Sequence, residues 1–488
     1  MNTSKNPWFR REGLALLTDF YELTMMAGQW REQRADQPVA FNYFFRSLPP
    51  DTGFAVFAGL ESFLDYLEHL RFGDDDVDYL ASLNIFAPDF LEHLRNFRPN
   101  CTVQAIPEGT LVYPYEPILQ VQGTIFESLL IESALLNLLN FQTLIATKAA
   151  RICLAANGDP VMEFGLRRAH GPDGAVSGSR AAHIGGCNST SNVLAGKTFG
   201  IPVGGTHAHS WVMSFPSELE AFRTFARHYP DRCVLLVDTY DTETSGVPNA
   251  ITVFKEMHAA GIDVRPAIRL DSGDLSRLSK IAYQKMMEAG LENPLIVASN
   301  DLDEELIADL KRQGSKINAW GVGTHLITAY DAPALSGVYK LVAIQENGTW
   351  LSRMKISSNI EKATDPGKKQ LMRYFDEEGH PLCDVMYLDD ETPVTEGPLR
   401  GRSRTWPHRS VHAAAPARCE SLLQTVIRGG VRVAPSPPLA DVRSHALNQI
   451  AALPEEFKRM RYPHIYDVML SEALGVMKDQ MLANPDLA

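Results

Sequence analysis

The chain has 488 residues, 45% of them hydrophobic and 22% charged, an ordinary globular composition long enough for two to four domains of ~100–200 residues. Its net charge of -13 opposes general attraction to nucleic acid, and no apolar run approaches the ~18–20 residues that a membrane span needs. The start "MNTSKNPWFRREG" has no hydrophobic signal core, and the six scattered cysteines include no C-x-x-C pair, which predicts reduced thiols in a cytoplasmic protein.

Residues 1 to about 120 read as an α+β module: "FNYFFRSLP" and "YPYEPILQVQG" as strands, "GLESFLDYLEHL" and "DFLEHLRNF" as helices. The stretch "IFESLLIESALLNLLNFQTLIATKAARICLAA" is apolar around most of its circumference and predicts a helix buried between domains. Six β-rich runs follow: "PVMEFGLRRAHG", "IPVGGTHAHS", "CVLLVDTYDT", "DVRPAIRLDSGD", "PLIVASNDLD" and "INAWGVGTHL". Helical stretches such as "NAITVFKEMHAAG" and "LSRLSKIAYQKMMEAG" lie between them, each closing on a glycine suited to C′. This alternation predicts βα units with parallel strands, either an open doubly wound sheet or a closed barrel. Beyond about residue 345 the rhythm fades: "SRTWPHRSVHAAAPARC" reads as loop and "LPEEFKRMRYPHIYDVMLSEALGVMKDQM" as a helical tail. The expected division is residues 1–125, a catalytic 126–385, and an extension 386–488 packing on the first.

In either architecture the ligand lies beyond the carboxyl ends of the strands. Arg167, His209, Asp238, Asp271, Asn300 and Gly321 all follow apolar runs there. Arg167 and Arg168 read either as a solvated pair or as an anion fork. "IRLDSGDL" offers a helix cap or carboxylates for Mg²⁺ or sugar hydroxyls. The glycines of "WGVGTHLI" serve close packing or a phosphate nest. The H-x-H of "GTHAHS" reads as a metal pair, as a nucleophile or acid/base imidazole, or as a hydrogen-bonded turn, the last fitting His207 better than His209.

Taken in order, "LLTDFYELTM", "EFGLRRAHGPDG", "GGCNSTSNVLAGKTFGIPVGGTHAHS", "IRLDSGDL", "IVASNDLDEE", "WGVGTHL", "GVYKLV" and "LPEEFKRMRYPHIYDV" resemble the nicotinate phosphoribosyltransferase family over nearly the whole chain. The resemblance implies an irregular α/β barrel of the type II phosphoribosyltransferase kind with an N-terminal α+β domain and a C-terminal helical extension. It also implies a homodimer with shared active sites. The implied reaction converts nicotinate and phosphoribosyl pyrophosphate to nicotinate mononucleotide and pyrophosphate for NAD salvage, with Mg²⁺ and coupled ATP hydrolysis. By the same resemblance His209 is the phosphorylated histidine, Tyr21 reaches across the dimer to stack on the pyridine opposite Phe164, and Arg167 and Arg269 surround nicotinate and phosphates. Asp271 meets ribose or Mg²⁺, Gly321 and Gly323 the 5′-phosphate, and Thr206, Ser210 and Thr324 further line the substrate site. Ser191 stands where nicotinamide-using relatives carry an aspartate, and serine there suits a carboxylate substrate. Competing readings are a nicotinamide- or quinolinate-using transferase and an H-x-H metal-dependent hydrolase.

Overall fold

The computed structural model describes residues 14–357, 359, 362–484 and 486. Its contacts divide the chain into two units, one running from Lys148 to Pro333 and the other combining the residues up to Thr147 with those from Ala334 onward.

The Lys148–Pro333 unit is built on six parallel strands: β1 (Val161–Glu163), β2 (Ser189–Thr190), β3 (Val234–Leu236), β4 (Ala267–Leu270), β5 (Leu295–Ser299) and β6 (Ala319–Val322). They are mostly apolar and mostly buried, as parallel strands covered on both faces are. Amphipathic helices connect them, including Glu218–His228, Val247–Ala259, Leu275–Glu288 and Glu304–Arg312. Ser217, Asp274 and Asp303 cap three of these by accepting from the backbone N–H three residues on. The glycines expected to close "NAITVFKEMHAAG" and "LSRLSKIAYQKMMEAG" do so at Gly261 (φ 77°) and Gly290 (φ 80°), left-handed positions that glycine adopts without a Cβ clash.

Strand order separates the two architectures left open by the sequence. It runs β2-β1-β6-β5-β4-β3, so the first strand pairs with the last, Trp320 with Val161 and Val322 with Glu163. A Thr190–Val203 bridge adds a rung beyond β2. Followed around, the rungs keep chain order, which is the order of a barrel and not of a doubly wound sheet. Among the described residues no ladder joins Val203 to β3, so one seam is open.

The other unit is discontinuous in sequence. Its seven-stranded antiparallel sheet places Pro38–Phe45 between Gly337–Glu346 and Leu119–Thr124. Thr102–Ala105 pairs in turn with Gln424–Arg428. The expected helices appear as Leu60–His69 and Pro88–Asn96. The contact boundaries fall after 147 and 333, and the Gly337–Glu346 strand returns to Pro38–Phe45, a pairing that no local pattern announces.

A second six-stranded sheet adds strands that the sequence did not announce. Within the segment read as loop, 403–419, Ser410–Ala413 is a strand, and the strands Leu399–Ser403 and Arg418–Ser421 run into that segment from either side. Its prolines and alanines hide the alternation, and pairing is supplied by remote partners such as Tyr374 for Cys419 and Leu470 for Arg402. The tail holds Val468–Leu470 as a strand between the helices Glu455–Lys458 and Glu472–Ala483. Tyr466 of "YPHIYDV" donates to Asp384 Oδ1 at 2.9 Å, and the same buried carboxylate pairs with Arg373 Nη2 at 2.6 Å. Removing either partner would strand a buried charge. No helix among the described residues is long and apolar enough to cross a membrane.

Candidate active site

Because the six strands are parallel, their carboxyl ends share one rim, and the motif residues gather there. Phe164 and Arg167 follow β1, Ser191 follows β2, Asp238 follows β3, Asp271 follows β4, Asn300 follows β5, and Gly323 and Thr324 follow β6. Arg269 and Gly321 lie within the last turns of β4 and β6.

The β3–β4 side is held by carboxylates. Asp238 Oδ2 accepts from the Asp271 N–H at 2.9 Å and from Ser272 Oγ at 2.5 Å, while its other oxygen is buried without a partner. Ser299 at the end of β5 donates to Asp271 Oδ1, and Asp271 Oδ2 stands 3.6 Å from His209 Nε2. The second ring nitrogen, Nδ1, is 3.1 Å from Thr239 Oγ1. His209 is thereby oriented by groups following two different strands, with its side chain 40% exposed.

Arg269 is a half-buried cation of the site. Burial pulls its guanidinium below the ordinary value, Asp271 and Asp238 oppose that, and the charge on Arg167 adds to the fall. Its Nη2 donates to the His207 carbonyl at 3.0 Å, but Nε is buried with no acceptor. That buried N–H is free to meet an anionic oxygen in the forked geometry a guanidinium favours.

His207 differs from His209. It is buried, its Nε2 accepts from the Leu236 N–H at 3.2 Å, and burial pushes its pKa down to about 4. A neutral imidazole already bonded to backbone answers the H-x-H question in favour of a structural role for the first histidine. Thr206 donates to the His207 carbonyl at 3.1 Å, and Ser210 is exposed in the first turn after His209.

On the β1–β6 side Gly321 and Gly323 lie against Phe164: a Cβ on Gly321 would sit 2.6 Å from Phe164 Cε2, and one on Gly323 would be 3.3 Å from the Phe164 carbonyl oxygen. Thr324 opens the short turn beyond them. The Ser191 N–H donates to the Glu163 carbonyl at 2.9 Å, which fixes Ser191 beside Phe164. Tyr21 belongs to the other unit, in the helix Phe20–Arg31, and is 48% exposed.

Sequence reasoning noted Asp238 only as a strand-end residue and passed over Glu163, Thr239 and Ser299. Glu163 is fully buried and accepts from Gly165 N–H, from Ser179 Oγ at 2.9 Å and from Thr190 Oγ1 at 2.5 Å, tying the Phe164 turn to β2. A carboxylate ending an apolar strand, as in "VMEFG", was the available signal.

A parallel α/β ring thus collects arginines, two carboxylates and an oriented imidazole on one rim. Family models agree in detail: the nicotinate phosphoribosyltransferase N-terminal domain matches residues 16–140, the family's central model matches 160–385, and its C-terminal domain matches 368–478. The nicotinate phosphoribosyltransferase of Bacillus subtilis is 44% identical over 470 residues, covering 95% of this chain and 94% of the relative. That of Homo sapiens is 36% identical, with 99% of each chain covered. The crystal structure of human nicotinic acid phosphoribosyltransferase superposes with a TM-score of 0.84 at 34% identity, over 95% of this chain and 99% of that one. The chain belongs to the nicotinate phosphoribosyltransferase family.

Proposed function

We propose that this protein joins nicotinate to phosphoribosyl pyrophosphate, releasing nicotinate mononucleotide and pyrophosphate for NAD salvage, with ATP hydrolysis coupled through His209. The observation that carries this reading is the pair of buried atoms without partners at neighbouring strand ends, Arg269 Nε and Asp238 Oδ1. The first is a donor for a phosphate or carboxylate oxygen and the second an acceptor for a hydroxyl or a hard cation, and phosphoribosyl pyrophosphate brings both kinds of group.

In the transfer the pyridine nitrogen bonds to ribose C1 as the C1–O bond to pyrophosphate breaks, with positive charge building on the sugar. Positioning and fixed charge supply most of the rate in such a step. Phe164 offers a face to the pyridine, Arg167 and Arg269 hold anionic oxygens, and Ser191 leaves the nicotinate carboxylate without a like charge beside it. Gly321, Gly323 and Thr324 face the 5′-phosphate, while Thr206 and Ser210 flank the phosphoryl group on His209. Thr239 occupies Nδ1 of His209, so Nε2 on the Asp271 side is the nitrogen that accepts the γ-phosphoryl group as ADP leaves.

Asp271 and Asp238 present carboxylate oxygens, the ligand type that Mg²⁺ takes; when bound there, the ion would neutralise charge on the departing pyrophosphate. The active form we propose is a cytoplasmic homodimer. Phe20 and Tyr21, 55% and 48% exposed on one helix, suit an apolar contact in which a second copy lays Tyr21 on the pyridine opposite Phe164.

The direct test supplies the purified protein with phosphoribosyl pyrophosphate, Mg²⁺ and each pyridine separately, following mononucleotide and ATP hydrolysis. Nicotinate alone should drive both. Turnover of nicotinamide or quinolinate in its place refutes the reading.

A further inference from the structure

The histidine pair of "GTHAHS" leaves one imidazole outside the chemistry proposed above, and its ring lies at the open seam of the strand ring. Val203 is the last rung on one side and β3 the first on the other. Where a ladder between them would run, the fully buried Leu236 donates its N–H to His207 Nε2 at 3.2 Å. Three residues farther along, Thr239 Oγ1 meets His209 Nδ1 at 3.1 Å. The 207–209 segment is thus fastened alongside 236–239 by two imidazole nitrogens, one accepting from a peptide N–H and the other bonded to a threonine hydroxyl. A buried N–H left without an acceptor is costly, so the first of these bonds answers a need that the missing ladder creates.

The same residue reaches the site by its main chain. Its carbonyl accepts from Arg269 Nη2 at 3.0 Å and from Thr206 Oγ1 at 3.1 Å. Its ring is wedged edge-on against Phe225, with centroids 4.8 Å apart, and lies 6.0 Å from Phe222. We infer that His207 is a positioning residue that clasps the open seam and thereby sets where the Arg269 guanidinium and the His209 imidazole stand. The inference rests on the assignment of Arg269 and His209 to the substrate pocket. The clasp requires a neutral ring with its lone pair on Nε2, so the proton belongs on Nδ1, which faces the Ala208 carbonyl at 3.5 Å. Burial, which keeps this pKa down at about 4, supplies that state.

His207→Gln retains an acceptor oxygen near the Nε2 position, whereas His207→Phe retains the ring volume and has none. The Phe variant should lose about a hundredfold in kcat, the scale of a 1 Å misplacement at an active site, when assayed well below its thermal midpoint. The Gln variant should recover most of it. Hydrogen exchange of the peptide spanning Val234–Asp238 should accelerate in the Phe variant and not in the Gln variant, a contrast that loss of ring packing alone would not give. Equal kcat in wild type and His207→Phe, or equal damage in both variants, overturns the inference. So does one zinc per chain that is lost from both His207→Phe and His209→Ala. Should the wild type show no transferase turnover, the functional reading falls, while the exchange contrast still decides whether His207 closes the seam.

Discussion

Gly321 and Phe164 share a space that no larger strand residue could enter, since a Cβ at 321 would come within 2.6 and 2.7 Å of two ring carbons. Gly321→Ala must therefore tilt the ring. Overpacking of about 1–3 kcal/mol corresponds to roughly five- to a hundredfold in binding. The expected result is that KM for nicotinate rises by such a factor through Phe164, with KM for phosphoribosyl pyrophosphate rising beside it because Gly321 also faces the 5′-phosphate. An unchanged KM for nicotinate would leave Phe164 without a substrate role.

Asp238 carries two duties on two oxygens, one bracing the turn at Asp271 and Ser272 and the other unpartnered. Asp238→Asn keeps an oxygen for the turn and removes the charge. Thermal stability should change by less than about 1 kcal/mol, within the ordinary range for a single neutral hydrogen bond, whereas half-saturation by Mg²⁺ should shift upward at least tenfold. An unaltered Mg²⁺ titration would remove Asp238 from the cation site.

His209→Ala should abolish ³²P transfer from γ-labelled ATP and nicotinate-dependent ATP hydrolysis while slow ATP-independent mononucleotide synthesis survives. Thr239→Val frees Nδ1, so labelling should slow by about tenfold, the loss expected of one orienting hydrogen bond, without disappearing. Label retained in the alanine variant would point to a different acceptor.

The buried ring of His207 also predicts a pH dependence of stability. Its pKa is held down from 6.5 to about 4, by burial first and then by the charges of Arg269 and His209. Between those values the unfolded chain takes up a proton that the folded chain refuses. Stability from the neutral ring is therefore complete above pH 6.5 and declines as pH falls toward 4, by at most about 1.4 kcal/mol per unit. Urea unfolding at pH 7 and pH 4.5 should show wild type losing more than His207→Gln. Identical losses would mean that another group titrates.

A shared site can be tested by mixing two inactive proteins. In a random mixture of Tyr21→Ala and Arg167→Ala chains, a mixed twofold dimer has one site with both lesions and one with neither, so about a quarter of all sites are intact. Activity near that fraction is expected. Confirmed subunit exchange without recovered activity would confine Tyr21 to its own chain.

Much of the site was legible in the sequence because parallel strands put their ends on one rim, so Arg167, His209, Asp271 and Gly321 could be gathered from six apolar runs without knowing the strand order. The order itself was not legible: the β1–β6 pairing that makes a ring joins Val161 to Trp320, and nothing local in either run names its partner. Glu163 and Ser299 escaped for a related reason. Their importance lies in which buried groups they bond, and hydrogen-bond partnership leaves no periodic trace. The strand at Ser410–Ala413 was hidden by composition, because its pairing along Leu399–Ser403 outweighs a weak intrinsic preference.

The split of the antiparallel sheet between the two ends of the chain sets a timetable for synthesis. Val39 pairs with Ile344 and Phe45 with Gly337, so at ~5–20 residues per second the ribosome releases one strand about 15–60 s before its neighbour. During that interval Pro38–Phe45, seven of its eight residues buried in the finished protein, has one hydrogen-bonding edge open and an apolar face toward water. Such an edge is a template for pairing with other nascent copies. The burden on chaperones therefore falls on the Pro38–Phe45 strand, and a translational pause before residue 337 would aggravate aggregation where a pause after residue 346 would relieve it.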